Sequence, residues 1–188
     1  MVLNRSQYDA AYFGDLDESG GLRHKAGYSR YLISQTDGFE REGLEAFLLR
    51  HDIPKDVKVL ELGAGIGFLG KVATDQGYTN WTCVDWSNWC KRHEVYPVIE
   101  EEALIYLQAQ PDNSFDYIIS RSLIECIKPN ELQDHAIESK RVGIKQIHTV
   151  SLEVNTKFYT LKTIPEWATQ FLNDPDITIE DYFRDSDG

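Results

Sequence analysis

Residues 57–70, VKVLELGAGIGFLG, constrain this chain more than any other stretch. They open as an apolar run (Val57, Val59, Leu60, Leu62), turn glycine-rich at Gly63, Gly65 and Gly67, and continue as LGKVATDQ, which reads as a helix stopped by Gly77. A buried strand that passes through a glycine turn into a helix makes a binding loop. The first turn of the helix offers N–H groups without intrahelical partners, and glycine lets a ligand approach the backbone.

The flanking sequence alternates between the two kinds of element. Residues 37–51 read as a helix with Asp37 as N-cap, Glu40 at the third helical position and an apolar stripe of Phe39, Leu44, Phe47 and Leu48. Strands are expected at 57–62, 81–86, 96–100, 115–120 and 144–150. Pro97 demotes the third to an edge position. Helices are expected at 68–76, 87–93, 101–110 and 129–141, the last with Pro129 near its start and Gly143 just past its end. Residues 164–172 read as a further helix, and residues 177–183 alternate like a strand. This pattern predicts an α/β fold: a doubly wound, mostly parallel sheet with helices on both faces. With one clear strand after the fifth, its C-terminal part reads as shortened. Residues 37–188 form one domain. Residues 1–36, rich in tyrosine and glycine, form an arm that either packs on the surface or closes over a ligand as a lid, with Tyr12, His24, Lys25 and Tyr28 available as contacts.

Charge limits the partners. The chain of 188 residues carries 19 Lys and Arg against 31 Asp and Glu, a net charge of −12. A nucleic-acid binder neutralises phosphate with a basic face, so this balance argues against DNA, RNA and anionic membranes and suits a cationic ligand. No apolar run approaches the roughly 20 residues of a membrane-spanning helix, and the opening MVLNRSQYD lacks the apolar core of a leader. Cys83, Cys90 and Cys126 form no CxxC pair, and the five histidines show no ligand spacing. A cytoplasmic protein without a metal is the expectation.

Two ligands suit the glycine loop. Gly65, Gly67 and Gly70 match the GxGxxG spacing of dinucleotide sites, with Asp85 20 residues after Gly65. In that register, however, the first glycine would fall two residues beyond the strand, because Gly63 already ends it. A second register begins at Gly63. VLELGAGIG resembles the first motif of the class I S-adenosylmethionine-dependent methyltransferases, and three later signals follow in that family's order. Asp85 ends strand two in CVDWS. The run EALIYLQAQPDNSFD is similar to the family's DAL…LPDNSFD, with Glu102 where Asp is commoner. PDNSFDYIIS resembles the entry into strand four. The resemblance spans roughly residues 37–150.

The resemblance implies S-adenosylmethionine as cofactor. Gly63, Ala64, Gly65 and Gly67 would meet its methionine end, and Glu61 would hold the amine through a water or backbone network. Asp85 would take both ribose hydroxyls, and Glu102 with Ala103 would contact the adenine, against which Trp86 could lie. Plainer roles stand beside these: Glu61 as an ion-pair carboxylate, Asp85 as a turn residue, Trp86 as core, and Glu102 as a carboxylate favoured by a helix dipole.

The acceptor side is less determined. Ser120, Arg121, Glu125, His148 and Glu153 lie just beyond strands four and five, where ligands gather in such sheets. Arg121 and Glu153, with Tyr12, His24 and Tyr28, are candidate acceptor contacts. His148 and Glu125 are candidate bases, and a histidine that merely packs is the competing reading of His148. Where small-molecule members of the family read LEHI, this chain has Ile124-Glu125-Cys126-Ile127, with Cys126 in the place of histidine. Ser120-Arg121-Ser122-Leu123 is not the Asp-Pro-Pro-Tyr or Asn-Pro-Pro-Tyr of nucleobase amino-methylation. His93 and His135 read as surface helix residues. The leading expectation is methyl transfer to an oxygen or nitrogen of a small molecule. Lysine-type protein methylation and a non-catalytic cofactor-binding module are the alternatives.

Overall fold

Strand β1 (Lys58–Leu62) lies at the centre of a five-stranded, all-parallel sheet. Strands β2 (Asn80–Asp85) and β4 (Phe115–Arg121) flank it, with β3 (Val98–Glu100) and β5 (Gly143–Thr149) outermost. The order is β3-β2-β1-β4-β5. The structure, a computed structural model, describes residues 38–150, with side chains from residue 41 onward. The arm of residues 1–36, the Asp37 cap, Glu153 and the elements expected beyond residue 150 lie outside the described residues.

The helices divide between the two faces because side chains alternate along each strand. Val59 of β1, Trp81 and Cys83 of β2, and Tyr117 and Ile119 of β4 pack on one side. They meet α1 (Gly38–Arg50), α2 (Phe68–Asp75) and α3 (Asn88–Arg92) through Leu44, Leu48, Leu69, Val72 and Trp89. Leu60, Leu62, Val84 and Ile118 point the other way, toward Leu107 of α4 (Ala103–Gln108) and Val142 of α5 (Leu132–Val142). Each fully buried leucine or isoleucine in these layers contributes roughly 1.5–3 kcal/mol. Among the described residues, no helix is long and apolar enough to cross a membrane.

Three local features depart from the reading of the sequence or explain it. Helix α2 ends as expected: Gly77 takes φ 93°, its N–H meets Thr74 O, and Tyr78 N–H reaches back to Ala73 O. Helix α5 begins at Leu132, three residues after Pro129. Lys128 O accepts from Glu131 N–H at 2.9 Å and closes a turn around Pro129 and Asn130 before the helix starts. Gly143 does follow α5, but its φ of −117° is open to any residue. Its requirement is space, since a Cβ there would stand 2.2 Å from Ile118 Cγ1.

Two glycine substitutions should therefore act in opposite directions. Gly43→Ala, inside α1 with nothing within 4 Å of the new Cβ, should raise stability by about 0.5–1 kcal/mol. Gly143→Ala should lower it by about 1–3 kcal/mol through overpacking against Ile118. Urea unfolding of the two variants beside the parent chain measures both.

Candidate functional site

The chain leaves β1 toward β2 and β3 on one side and later returns past β1 to β4 and β5 on the other. The carboxyl ends of β1 and β4 are thus the point where the winding reverses, and loops diverging there leave a crevice. The glycine loop sits at this point. Gly63, Gly65 and Gly67 take φ 67°, 58° and 79°, the left-handed region that side chains resist. At Gly67 a Cβ would also meet Tyr96 O at 2.8 Å. Ala64 N–H donates to Val84 O at 3.1 Å and Gly67 N–H to Ala64 O at 2.9 Å, which fixes the loop against β2.

Asp85 joins this loop to its neighbours. Its Oδ2 accepts from Gly65 N–H at 2.9 Å and its Oδ1 from Ser87 N–H at 2.8 Å. Its backbone oxygen accepts from Glu101 N–H at 3.1 Å. The loops after β1, β2 and β3 are therefore tied to one residue. Beyond Asp85, Trp86 is partly buried against the core on the α1–α3 side. Glu102 precedes α4 in extended conformation without capping it, its own N–H donating to Glu101 Oε1 at 2.8 Å. Ala103 packs against the opposite core layer.

Beneath the loop, Glu61 is 4% exposed. Its Oε2 accepts from Trp81 Nε1–H at 2.9 Å and from the Cys83 thiol at 3.4 Å. Burial raises its pKa from 4.5 to about 7, helped by the charge of Asp85 and opposed by the Trp81 bond, the Arg121 charge and the Cys83 thiol. Glu61, Asp85 and Arg121 share one sheet face by alternation, at the ends of β1, β2 and β4.

The candidate bases lie elsewhere. Ser120 Oγ and His148 Nδ1 stand 2.8 Å apart, on the sheet face covered by α5 and opposite to Glu61. His148 Nε2 stands 3.0 Å from Gln146 Oε1. Burial, with the nearby His135, lowers the His148 pKa to about 4, so the ring is neutral near pH 7. Glu125, in a short 3-10 turn (Ile124–Cys126), is fully buried. The structure thus brings Gly63, Gly65, Gly67, Glu61, Asp85 and Arg121 together and sets His148 apart from them. Tyr12, His24, Tyr28 and Glu153 lie outside the described residues.

Two features escape the sequence reading. His135, expected at the surface, is 7% exposed, with a pKa lowered by burial to about 4. It shares the buried stripe of α5 with Leu132, Ser139 and Val142, and that spacing was a usable signal masked by two polar members. Leu123 covers Gly63, where a Cβ would meet it at 3.0 Å; nothing local in the sequence announces this contact.

The Glu61 carboxyl makes a testable contribution to stability. Its folded pKa lies above the unfolded value, so the folded chain holds the proton more tightly. The stabilisation is complete below about pH 4.5 and is lost as pH rises through 7. Glu61→Gln removes this titration and leaves the histidines in place. Relative to the parent, the variant should gain roughly 2–3 kcal/mol between pH 5 and pH 8, as read from urea unfolding at the two pH values.

Solved structures share this architecture. The [4+2]-cyclase SpnF aligns with TM-score 0.60 at 13% identity, covering 71% of this chain and 55% of that one. A candidate sarcosine dimethylglycine methyltransferase from Galdieria sulphuraria aligns with TM-score 0.59 at 14% identity, covering 88% and 68%. Phosphoethanolamine N-methyltransferase 2 of Haemonchus contortus, in complex with phosphomonomethylethanolamine and S-adenosylhomocysteine, aligns with TM-score 0.56 at 22% identity, covering 70% and 36%. The chain spans 53–60% of the length of three further neighbours. No protein-family model and no curated protein sequence matches it. The five parallel strands, their order and these neighbours agree: the chain has the fold of the class I S-adenosylmethionine-dependent methyltransferases.

Proposed function

We propose that the chain binds S-adenosylmethionine at the carboxyl ends of β1 to β3 and transfers its methyl group to an oxygen or nitrogen of a small-molecule acceptor. The observation that carries this reading is the Asp85 carboxylate, held by Gly65 and Ser87 N–H beside three glycines of positive φ. A fold alone does not choose a reaction, as a cyclase among the neighbours makes plain. The side chains suit the cofactor. Asp85 presents a carboxylate at the tip of β2, a group whose two oxygens suit a vicinal diol. Trp86 follows β2, and Glu102 and Ala103 stand at the start of α4; these are the residues assigned to the adenine. Gly63, Ala64, Gly65 and Gly67 allow backbone contact with the amino-acid end.

When bound, the cofactor supplies an electrophilic methyl on a positively charged sulfur. The chain's task is then to hold the acceptor atom in line with that carbon and to keep water away, and alignment alone can supply much of the rate. Leu123, over Gly63, is placed to exclude water. An acceptor that attacks as a neutral amine or hydroxyl must give up a proton, and the position of His148 on the α5 face, away from the glycine loop, speaks against His148 as its recipient. The net charge of −12 favours a cationic or neutral acceptor over a phosphate-rich one. The wide spacing of the three cysteines, which form no CxxC pair, supports a cytoplasmic setting.

Calorimetry with S-adenosylhomocysteine tests the cofactor. Saturable binding to the parent chain is expected, weakened at least tenfold (about 1.4 kcal/mol) in Asp85→Ala and less in Asp85→Asn. No binding by folded parent protein at millimolar ligand overturns the proposal. Binding without methyl transfer to any of a panel of amines and hydroxy compounds would favour the non-catalytic module.

A further inference from the structure

The two donors that hold Glu61 are themselves locked in place. Glu61 is aligned with Cys83 on β2, and Trp81 lies two residues behind Cys83 on the same face. The Trp81 indole N–H at 2.9 Å and the Cys83 thiol at 3.4 Å both donate to Oε2, and among the described residues no hydrogen bond reaches Oε1. Both donor side chains are buried. Helix α2 presses on the two of them, since a Cβ at Gly70 would stand 2.7 Å from Cys83 Sγ and 3.0 Å from Trp81 Cδ1. The Tyr96 hydroxyl donates to Trp81 O at 3.0 Å and fixes the backbone behind the indole. Burial, with the Glu61 charge, keeps the Cys83 thiol protonated well above its ordinary range, so it stays a donor.

These donors oppose what burial does to Glu61. An acid sealed from water keeps its proton, while hydrogen bonds to the carboxylate favour the proton's loss. Of the charged groups that act on Glu61, Asp85 on β2 favours the proton and Arg121 on β4 opposes it. On the helices that cover this face, Arg41 pairs with Glu45 and Asp75, Lys71 with Asp75, and Lys91 with Glu94. The result is an acid balanced near neutral pH directly beneath a loop built to receive a ligand. Resting on the cofactor reading above, we infer that Trp81 and Cys83 are positioning residues for Glu61, and that the positive charge of S-adenosylmethionine, arriving at the glycine loop, drives the Glu61 proton out to solvent. The O–H bond of the carboxyl breaks with its electron pair left on oxygen, and water takes the proton. A cation acts strongly on a buried acid because little solvent screens the two. The site then answers to pH. Above neutral pH the cofactor meets a prepared anion, and below it binding must expel a proton. A neutral nucleoside at the same loop leaves the proton where it is.

Calorimetry in buffers of different ionisation enthalpy counts the protons released on binding. Glu61→Gln supplies the baseline, since it keeps the titration of the ligand itself. Above that baseline, S-adenosylmethionine should release more than about half a proton from the parent chain at pH 6 and about a tenth at pH 8. The uncharged 5′-methylthioadenosine should release none at either pH. Trp81→Phe, with one donor fewer to the anion, should at least double the release at pH 8. It should also weaken binding more at pH 6 than at pH 8, whereas loss of packing alone weakens it equally at both. Cys83→Ala should act in the same direction to a smaller extent, and Cys83→Ser, which keeps a donor, should restore the parent pattern. Without ligand, the Trp81 indole N–H resonance should move with pH through a midpoint of about 7 and stand still in Glu61→Gln. If Trp81→Phe does not fold, the two cysteine variants and the indole resonance decide. A parent chain that binds S-adenosylmethionine with no release above the baseline at pH 6 overturns the inference and leaves the cofactor site standing. Folded Trp81→Phe and Cys83→Ala that both keep the parent's release at pH 8 overturn it as well and return the two side chains to packing. A folded parent chain that binds neither ligand overturns the cofactor reading along with it.

Discussion

The carboxylate of Asp85 is the junction on which the binding end of the molecule depends. One residue at the tip of β2 accepts the Gly65 N–H from the β1 loop and the Ser87 N–H from its own loop, while its carbonyl takes the Glu101 N–H from the β3 loop. Hydrogen bonds to a charged acceptor are stronger than neutral ones, and these two hold the carboxylate in a single orientation. The three loops that meet at a ligand site in this fold thus share one anchor. The glycine loop keeps its left-handed residues because that anchor, together with the Ala64 bond to Val84, leaves it little choice. The group that orders these three loops is also a group suited to a hydroxyl-bearing ligand, which couples structural order to binding.

The two faces of the sheet divide the remaining polar chemistry. On the α1–α3 side, Glu61 takes hydrogen bonds from Trp81 and Cys83, both on β2. A buried acid with two donors on one oxygen and a cation nearby sits close to its ionisation balance at neutral pH. On the α5 side, Ser120, His148 and His135 form a polar seam inside an otherwise apolar interface, and both rings are held neutral. These histidines must take up protons when the chain unfolds in acid, so they add stability above pH 6.5 that fades toward pH 4. Glu61 has the opposite slope. With two histidines against one carboxyl, the sum of these contributions rises from pH 4 to about pH 6.5 and gives back only part of that gain as Glu61 ionises.

Much of this was legible in the sequence because strand-turn-helix units are locally encoded. The glycines at 63, 65 and 67, the acid at 85 and the stop at Gly77 each carry a backbone or capping requirement that their residue type discloses. β3 is an edge strand as Pro97 suggested, but it begins at Val98, so the proline stands just before the ladder and not within it, as the span 96–100 had it. What was not legible depends on contacts distant along the chain. The burial of His135 follows from where α5 lands on the sheet. The pairing of Ser120 with His148 follows from the β4–β5 register. Leu123 covers Gly63 because β4 lies beside β1, which no local pattern in either segment reveals. The start of α5 was misjudged for a local reason. Pro129 suits the first turn of a helix, but it suits the corner of a reverse turn equally well.

Helix α5 runs into β5 with no intervening residue, Val142 ending one and Gly143 beginning the other. At that point Gly143 lies against Ile118 with no room for a methyl group, and Arg141 donates to Leu107 O and Gln110 O at the end of α4. The carboxyl end of α5 is thus pinned on two sides, by the sheet and by the end of α4. At its other end Leu132 is buried with Ile124 and Ile127. With no loop between α5 and β5 to absorb a displacement, a side chain added at position 143 passes directly into the register of β5 against β4, on which the Ser120–His148 pair depends.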